Sequence, residues 1–337
     1  MQATVTHDIH EVRYKMIACV RTAVMLLIVL LVPSIVLAQL EVSTCPPPPA
    51  EPTTETIQAL AKTAKDRGFL WKFEKDGRTS YLYGSIHLGK QEWVFPGPKT
   101  IAALQASGVI ALELDILDPQ IQSQLSDPSR FGIKSIQLPP PLKQRMETIA
   151  TRVCAPVAAL AGLHPLMQLI TVTILDARFS NLEVGYGTEI MLSGFARGAK
   201  KAIASLETAE LQMRALLAGD AKDILEVVES GMTLFESGKQ RVQTERLVNA
   251  WGAGNLDELQ RYEQWCECMN TEVDRKYMKG LLDDRNPHLA AGIDKLFRDG
   301  KNVFAAFGSL HMIGPKSVPK LLEKMGYKVD RVIFEEL

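Results

Sequence analysis

The chain lacks an excess of charge of either sign. Its 38 Lys and Arg stand against 39 Asp and Glu, a net charge of −1 over 337 residues. Nucleic-acid binders usually carry a basic excess, so the balance argues against that class of partner. Cysteine is scarce, with five in all. Cys266-Glu-Cys268 is not a Cys-x-x-Cys redox motif, and the second Cys pair or His pair of a zinc knuckle is missing. A comfortable bilayer span is also missing. The apolar run over residues 23–36 falls short of the roughly 20 residues needed and is broken by Pro33 and Ser34. What remains is an ordinary globular composition, 46% hydrophobic and 23% charged. That excludes collagen-like, coiled-coil and wholly disordered chains and leaves room for one or two domains.

The short apolar run has a basic flank (Arg13, Lys15, Arg21) and closes on Val36-Leu37-Ala38. That is the three-part pattern of an export signal over residues 1–38, with cleavage after Ala38 and an uncleaved anchor as the alternative. Met16 stands just ahead of the pattern and is a second candidate start. The protein is therefore expected in the periplasm or outside the cell, touching membrane only through this segment. Cleavage leaves Cys45, Cys154, Cys266 and Cys268, and four histidines: His87, His164, His288 and His311. Export permits disulfides, and four cysteines allow three connectivities.

Residues 39–54, with Cys45-Pro46-Pro47-Pro48-Pro49, read as an extended linker. A folded domain over 55–337 begins with a predicted helix over 55–66. Residues 69–74 and 79–83 flank Asp76-Gly77-Arg78, a hairpin signal. A helix over 99–105 and a buried strand over 109–114 follow. The middle reads as mainly helical, with one strand over 200–205 and amphipathic periodicity from 207 to 280. The end alternates: helix 287–298, strand 302–307, helix 317–325 stopped by Gly326, strand 327–334. The pattern predicts an α/β (mixed α+β) fold, a central β-sheet carrying a large helical insertion at about 120–280.

One pattern recurs. Tyr83-Gly84-Ser85-Ile86-His87-Leu88 reappears as Phe307-Gly308-Ser309-Leu310-His311-Met312: aromatic, Gly, Ser, aliphatic, His, aliphatic. Each copy directly follows a predicted strand, and the two absorb half of the remaining histidines. Ligand sites of open α/β sheets gather at the carboxyl ends of strands. Gly84 and Gly308 are read as giving the chain the backbone freedom to leave each strand sharply. Two neutral imidazoles from neighbouring strand ends can then share a divalent metal or a substrate. A single Gly-x-x-His could as well close a loop.

Carboxylates accompany them. Ala111-Leu112-Glu113-Leu114-Asp115 sets Glu113 inside an apolar strand, where it needs a partner or a metal unless it faces outward at an edge. Asp115 reads as a turn opener. Glu207 is either another strand-end carboxylate or a first-turn residue favouring a helix dipole. In Arg285-Asn286-Pro287, Asn286 reads as a helix cap and Pro287 as the first helical residue, with Arg285 available to a carboxylate. His164 reads as structural and His288 as surface, and the tryptophans as packing residues.

These residues resemble the TraB/GumN family, which includes the Tiki-type proteins. The stretches that carry the resemblance are 81–89 (YLYGSIHLG), 109–118 (VIALELDILD), 206–212 (LETAELQ) and 284–329, which contains Arg285-Asn286 and FGSLHMIG. The resemblance implies a fold similar to the erythromycin-esterase and ChaN-like proteins, and a metal-dependent hydrolase, in Tiki-type members a divalent-metal peptidase. It maps His87, Glu113 and His311 onto the family's site positions, and Glu207, Arg285 and Asn286 onto further recurrent ones. The implied cofactor is a divalent metal of the Mn, Co or Zn class; the implied partner is a peptide or small-molecule substrate. Gly187-Thr188-Glu189 has Glu where the family often has Asp, and Gly314-Pro315-Lys316 replaces a more Gly-rich turn. The leading expectation is an exported peptidase in which His87 and His311 hold the metal, with Glu113 as third ligand or as the base that activates water. A ChaN-like haem- or metal-binding module, and a metal-free esterase with His as base and Glu orienting it, are the alternatives.

Overall fold

In the computed structural model, residues 45–50 and 52–334 are described; the apolar segment and its cleavage point lie outside them. The chain divides after Pro46, and the unit from Pro47 onward carries everything below. Six strands form one mixed sheet in the order β4-β3-β5-β2-β1-β6. They are β1 (Phe69–Lys75), β2 (Arg78–Ser85), β3 (Val109–Leu112), β4 (Ala202–Ser205), β5 (Val303–Gly308) and β6 (Lys328–Val332).

The hairpin β1–β2 turns at Asp76 and Gly77, both at positive φ (51° and 72°), the conformation that matches the twist of an antiparallel pair. β2, β5, β3 and β4 run parallel to one another. The sheet's centre is apolar because it is covered on both faces: β3 (VIAL) is wholly buried and β5 (VFAAFG) nearly so. The edges are more polar or more exposed, β6 carrying Lys328, Asp330 and Arg331, which discourages further strand addition. Helices Pro98–Ala106, Thr188–Gly198 and Asn286–Arg298 contribute to the same apolar core.

A second apolar core lies among helices alone. Met146, Ile149, Val172, Val228, Met232 and Phe235 pack together from helices Pro140–Arg152, Pro165–Ala177 and Ala221–Glu236. The expected α/β architecture is present, and β4 divides the helical stretch 120–280 into two parts. The strand expected over 109–114 stops at Leu112, so Glu113 stands just past its end. The first helix is shorter than expected, Thr54–Lys62. Trp71, Trp93 and Trp251 are buried as expected, with Trp251 Nε1 donating to the Gly84 carbonyl at 2.8 Å.

Candidate active site

Four adjacent parallel strands end on the same side of the sheet, and each hands a chemically active residue to that edge. β4 leads to Glu207, β3 to Glu113, β5 to His311 and β2 to His87. The β3–β4 pairing continues past the strands through Leu206 N to Leu112 O (2.7 Å) and Glu207 N to Glu113 O (2.9 Å). The two carboxylates are thereby set side by side. Like charges so placed need a cation, and Arg285 supplies it. Its Nε donates to Glu207 Oε1 at 2.9 Å, and its Nη2 reaches Glu207 Oε2 and Glu113 Oε2, each at 2.5 Å. All three residues are buried. Glu113 Oε1 accepts the Gly308 backbone N–H at 2.8 Å. Burial pushes Glu113 upward; the His311 imidazole, the Arg285 guanidinium, His87 and the Gly308 N–H outweigh it and hold the carboxyl at about 2. Glu207 is thus a paired strand-end carboxylate, one of the two readings its position allows.

His311 lies in a 3₁₀ turn, Ser309–Met312, directly after β5. Its Nδ1 meets Asn286 Oδ1 at 2.6 Å, while Asn286 Nδ2 donates to the Lys316 carbonyl at 3.0 Å. Because the amide nitrogen is committed to Lys316, Asn286 offers its oxygen to the ring. Nδ1 therefore carries the hydrogen and Nε2 keeps the lone pair. Burial lowers the His311 pKa to about 4, so the ring is neutral. Here the structure corrects two expectations. Asn286 does not cap its helix: the cap position is Arg285, and Asn286 is the first helical residue, its side chain turned to His311. Gly84 and Gly308 are not at positive φ. Gly84 is needed for space. A Cβ on Gly84 would lie 3.3 Å from Met312 Cγ, Phe69 Cδ2 and Ser309 Cα.

His87 sits on the open side, its side chain 68% exposed. The loop that carries it is clamped by the start of helix Thr188–Gly198: Thr188 N donates to Ile86 O at 2.9 Å and Ile86 N to Thr188 Oγ1 at 2.8 Å. A side chain at Gly187 would collide with the His87 carbonyl oxygen. Glu189, two residues further, takes His87 Nδ1 at 3.1 Å and also accepts from Ser85 Oγ. The Glu189 carboxylate raises the His87 pKa to about 9, against the opposing effect of desolvation. The role of Glu189 was not read from the sequence. An acid in the first turn of a helix opening on Gly-Thr was the available signal, but its partner lies about a hundred positions away.

The arrangement converges over one point. A Cβ placed on Gly308 would be 3.6 Å from Glu113 Oε1 and 3.7 Å from both His311 Cδ2 and His87 Nε2. Asp115 stands apart from it. It opens the turn after β3, and Arg197 and Ser193 hold its carboxylate. His288 is exposed and meets Leu206 O at 2.9 Å, and His164 caps helix Pro165–Ala177.

The donor chemistry suits a divalent metal. Both imidazoles commit Nδ1 to an oxygen acceptor, which orients the ring; Nε2 of neutral His311 is free for a ligand, and Nε2 of His87 becomes so when a metal displaces its proton. A carboxylate oxygen that accepts one N–H retains further lone pairs. Among the described residues, however, no group of three His, Cys, Asp or Glu stands as a ready metal cage; the Glu113 oxygens are engaged by Arg285 and the Gly308 N–H.

Comparison with known proteins places the chain in a class. It belongs to the TraB/PrgY/gumN family, which it matches over residues 69–331. Among curated proteins it is similar to "Metalloprotease TIKI1" of Danio rerio, 25% identical over 313 residues covering 78% of this chain. It is also similar to "Metalloprotease TIKI1" of Xenopus tropicalis, 22% identical over 320 residues covering 80% of this chain. The chain spans 62% of the length of each of these relatives. No solved structure matches the chain.

Proposed function

We propose that the protein is an exported metal-dependent hydrolase acting on peptides. The observation that carries this reading is the convergence of His87 Nε2, His311 Cδ2 and Glu113 Oε1 over Gly308. His87, His311 and Glu113 would hold the metal, whose contribution when bound is to polarise a substrate carbonyl and make hydroxide available near neutral pH. The chain's own residues do the rest. Asn286 and Glu189 fix the two rings. Arg285, itself anchored by Glu207, and the Gly308 N–H hold Glu113 ionised just past β3, where it can ligate or take a proton from water. The names of the two relatives support peptide hydrolysis, and the apolar segment over residues 23–36 supports export.

The pairing of His87 with Glu189 favours a second reading, metal-free ester hydrolysis with a carboxylate-oriented imidazole. Metal analysis of the purified chain, joined to cleavage of a peptide library before and after exhaustive chelation, separates the two. Bound metal and activity lost on chelation are expected. Activity that survives chelation overturns the metal-dependent reading, and a library left intact overturns peptide hydrolysis. Glu113→Gln should keep the fold and lower turnover about 10²–10⁴-fold, since the amide is a poorer ligand and no base.

A further inference from the structure

Cys266 and Cys268 are bonded to each other across a single residue, Glu267. A cross-link stabilises a fold mainly by restricting the unfolded chain, and the restriction grows with the loop it closes. A loop of one intervening residue restricts very little. The folded chain does not lean on the bond either. Residues 266–271 join helix Tyr262–Trp265 to helix Glu272–Leu281, and other groups fix both junctions. Cys266 N donates to the Tyr262 carbonyl at 2.8 Å, Glu267 N donates to Gln243 Oε1 at 2.9 Å, and Thr271 with Asp274 forms a capping box on the second helix. The pair therefore asks for an explanation in the chemistry of its sulfurs.

The two sulfurs are unequal. Cys266 is 7% exposed, while Cys268 is partly exposed, and both line a cavity of about 260 Å³ beside His87. Each sulfur also meets a donor. Cys268 N donates to Cys266 Sγ at 3.3 Å. The Tyr262 hydroxyl lies 3.2 Å from Cys268 Sγ and must be the donor, since a bonded sulfur has no hydrogen to give. Such donors favour the thiolate that each sulfur becomes when the bond opens, and a stabilised thiolate leaves faster.

We propose that Cys266–Cys268 is a thiol–disulfide exchange site for a low-molecular-weight thiol. The incoming thiolate attacks Cys268 Sγ, the sulfur that solvent reaches. The Cys266–Cys268 bond breaks and its electron pair stays on Cys266 Sγ, which leaves as a thiolate facing the Cys268 N–H. A second thiolate attacks the sulfur of the first, forms the small disulfide and releases Cys268 as a thiolate beside the Tyr262 hydroxyl. Two small thiols are oxidised and one protein disulfide is reduced. An excess of the small disulfide runs the same steps backwards, so no further oxidant is needed. The proposal is independent of the peptidase reading.

The test incubates the folded full chain with reduced and oxidised glutathione at a series of ratios, traps thiols by alkylation and reads each cysteine by mass spectrometry. Cys266 and Cys268 should open together within the series while circular dichroism stays native. Cys266→Ser leaves Cys268 alone, and oxidised glutathione should cap it at least about tenfold faster than it caps Cys266 in Cys268→Ser, because access and thiolate character set the rate. With both cysteines changed to serine, the denaturation midpoint should stay near that of the wild type. A pair that opens only when the chain unfolds, single variants capped at equal rates, or a double variant whose midpoint falls sharply overturns the proposal.

Discussion

The two Gly-Ser-x-His loops carry nearly the same residues and end in opposite surroundings. After β5, His311 is 3% exposed, faces the neutral Asn286 amide, and burial takes its pKa to about 4. After β2, His87 is largely exposed, faces the Glu189 carboxylate, and rises to about 9. The strands are also out of step: β2 and β5 pair Gly84 with Phe307 and Ser85 with Gly308, so the repeats are offset by one position. The repeat therefore sets where each ring leaves the sheet, and the partner on Nδ1, drawn from a distant segment, sets its charge. One half of the site is closed by a buried Arg–Glu–Glu cluster and the other opens onto an apolar cavity.

The sharpest way to break this contrast is to remove each ring in turn. If the halves act on one ion, His87→Ala and His311→Ala should each lower hydrolysis at least about 10³-fold and abolish metal uptake, and the double variant should be no worse than either single. Titration calorimetry with the metal and peptide assays check both parts; a double variant clearly worse than the singles separates the histidines. On the closed side, Arg285→Met leaves two buried carboxylates facing each other. Removing one partner of a buried ion cluster typically costs about 3–5 kcal/mol, and denaturant unfolding should show a loss of that order. Gly308→Ala tests the point where the halves meet. The added methyl makes only ordinary contacts, so stability should change by less than about 1 kcal/mol. It displaces whatever the three side chains share, so turnover should fall by up to about 10²-fold. Last, His311→Ala orphans a buried amide and should destabilise by about 1–3 kcal/mol. His87→Ala removes an exposed ring and should cost no more than about 1 kcal/mol. Equal losses would show that the two loops are alike after all.

Much of this was legible in the residues, and the illegible part has a common cause. The hairpin at Asp76-Gly77, the buried run at 109–112 and the alternation after 286 announce themselves because turn chemistry and apolar periodicity are local. The repeated Gly-Ser-x-His is local too, and it found both rings. The insertion of β5 between β2 and β3, the hold of Glu189 on His87 and the hold of Asn286 on His311 depend on which segments become neighbours. No window of sequence contains both members of such a pair. Asn286 shows how a local rule misleads: an Asn just ahead of Pro is a good cap by composition, yet the buried ring of His311 competes for the same amide and wins. Gly84 shows the complementary error, a glycine fitted for room rather than for backbone freedom.

The place of β5 in the sheet bears on how the molecule comes into being. β2 and β3 have no contact as neighbours; each is joined to the other only through β5, which comes long after both in the sequence. Until residues 303–308 have left the ribosome, His87 and Glu113 belong to strands with a gap between them, about two inter-strand spacings or roughly 9–10 Å across. A nascent or truncated chain that stops short of β5 therefore carries the hairpin, the helical core and five of the site's six charged or imidazole groups, all but His311, yet leaves His87 unjoined to Glu113. A chain cut before residue 303 should therefore show no hydrolysis.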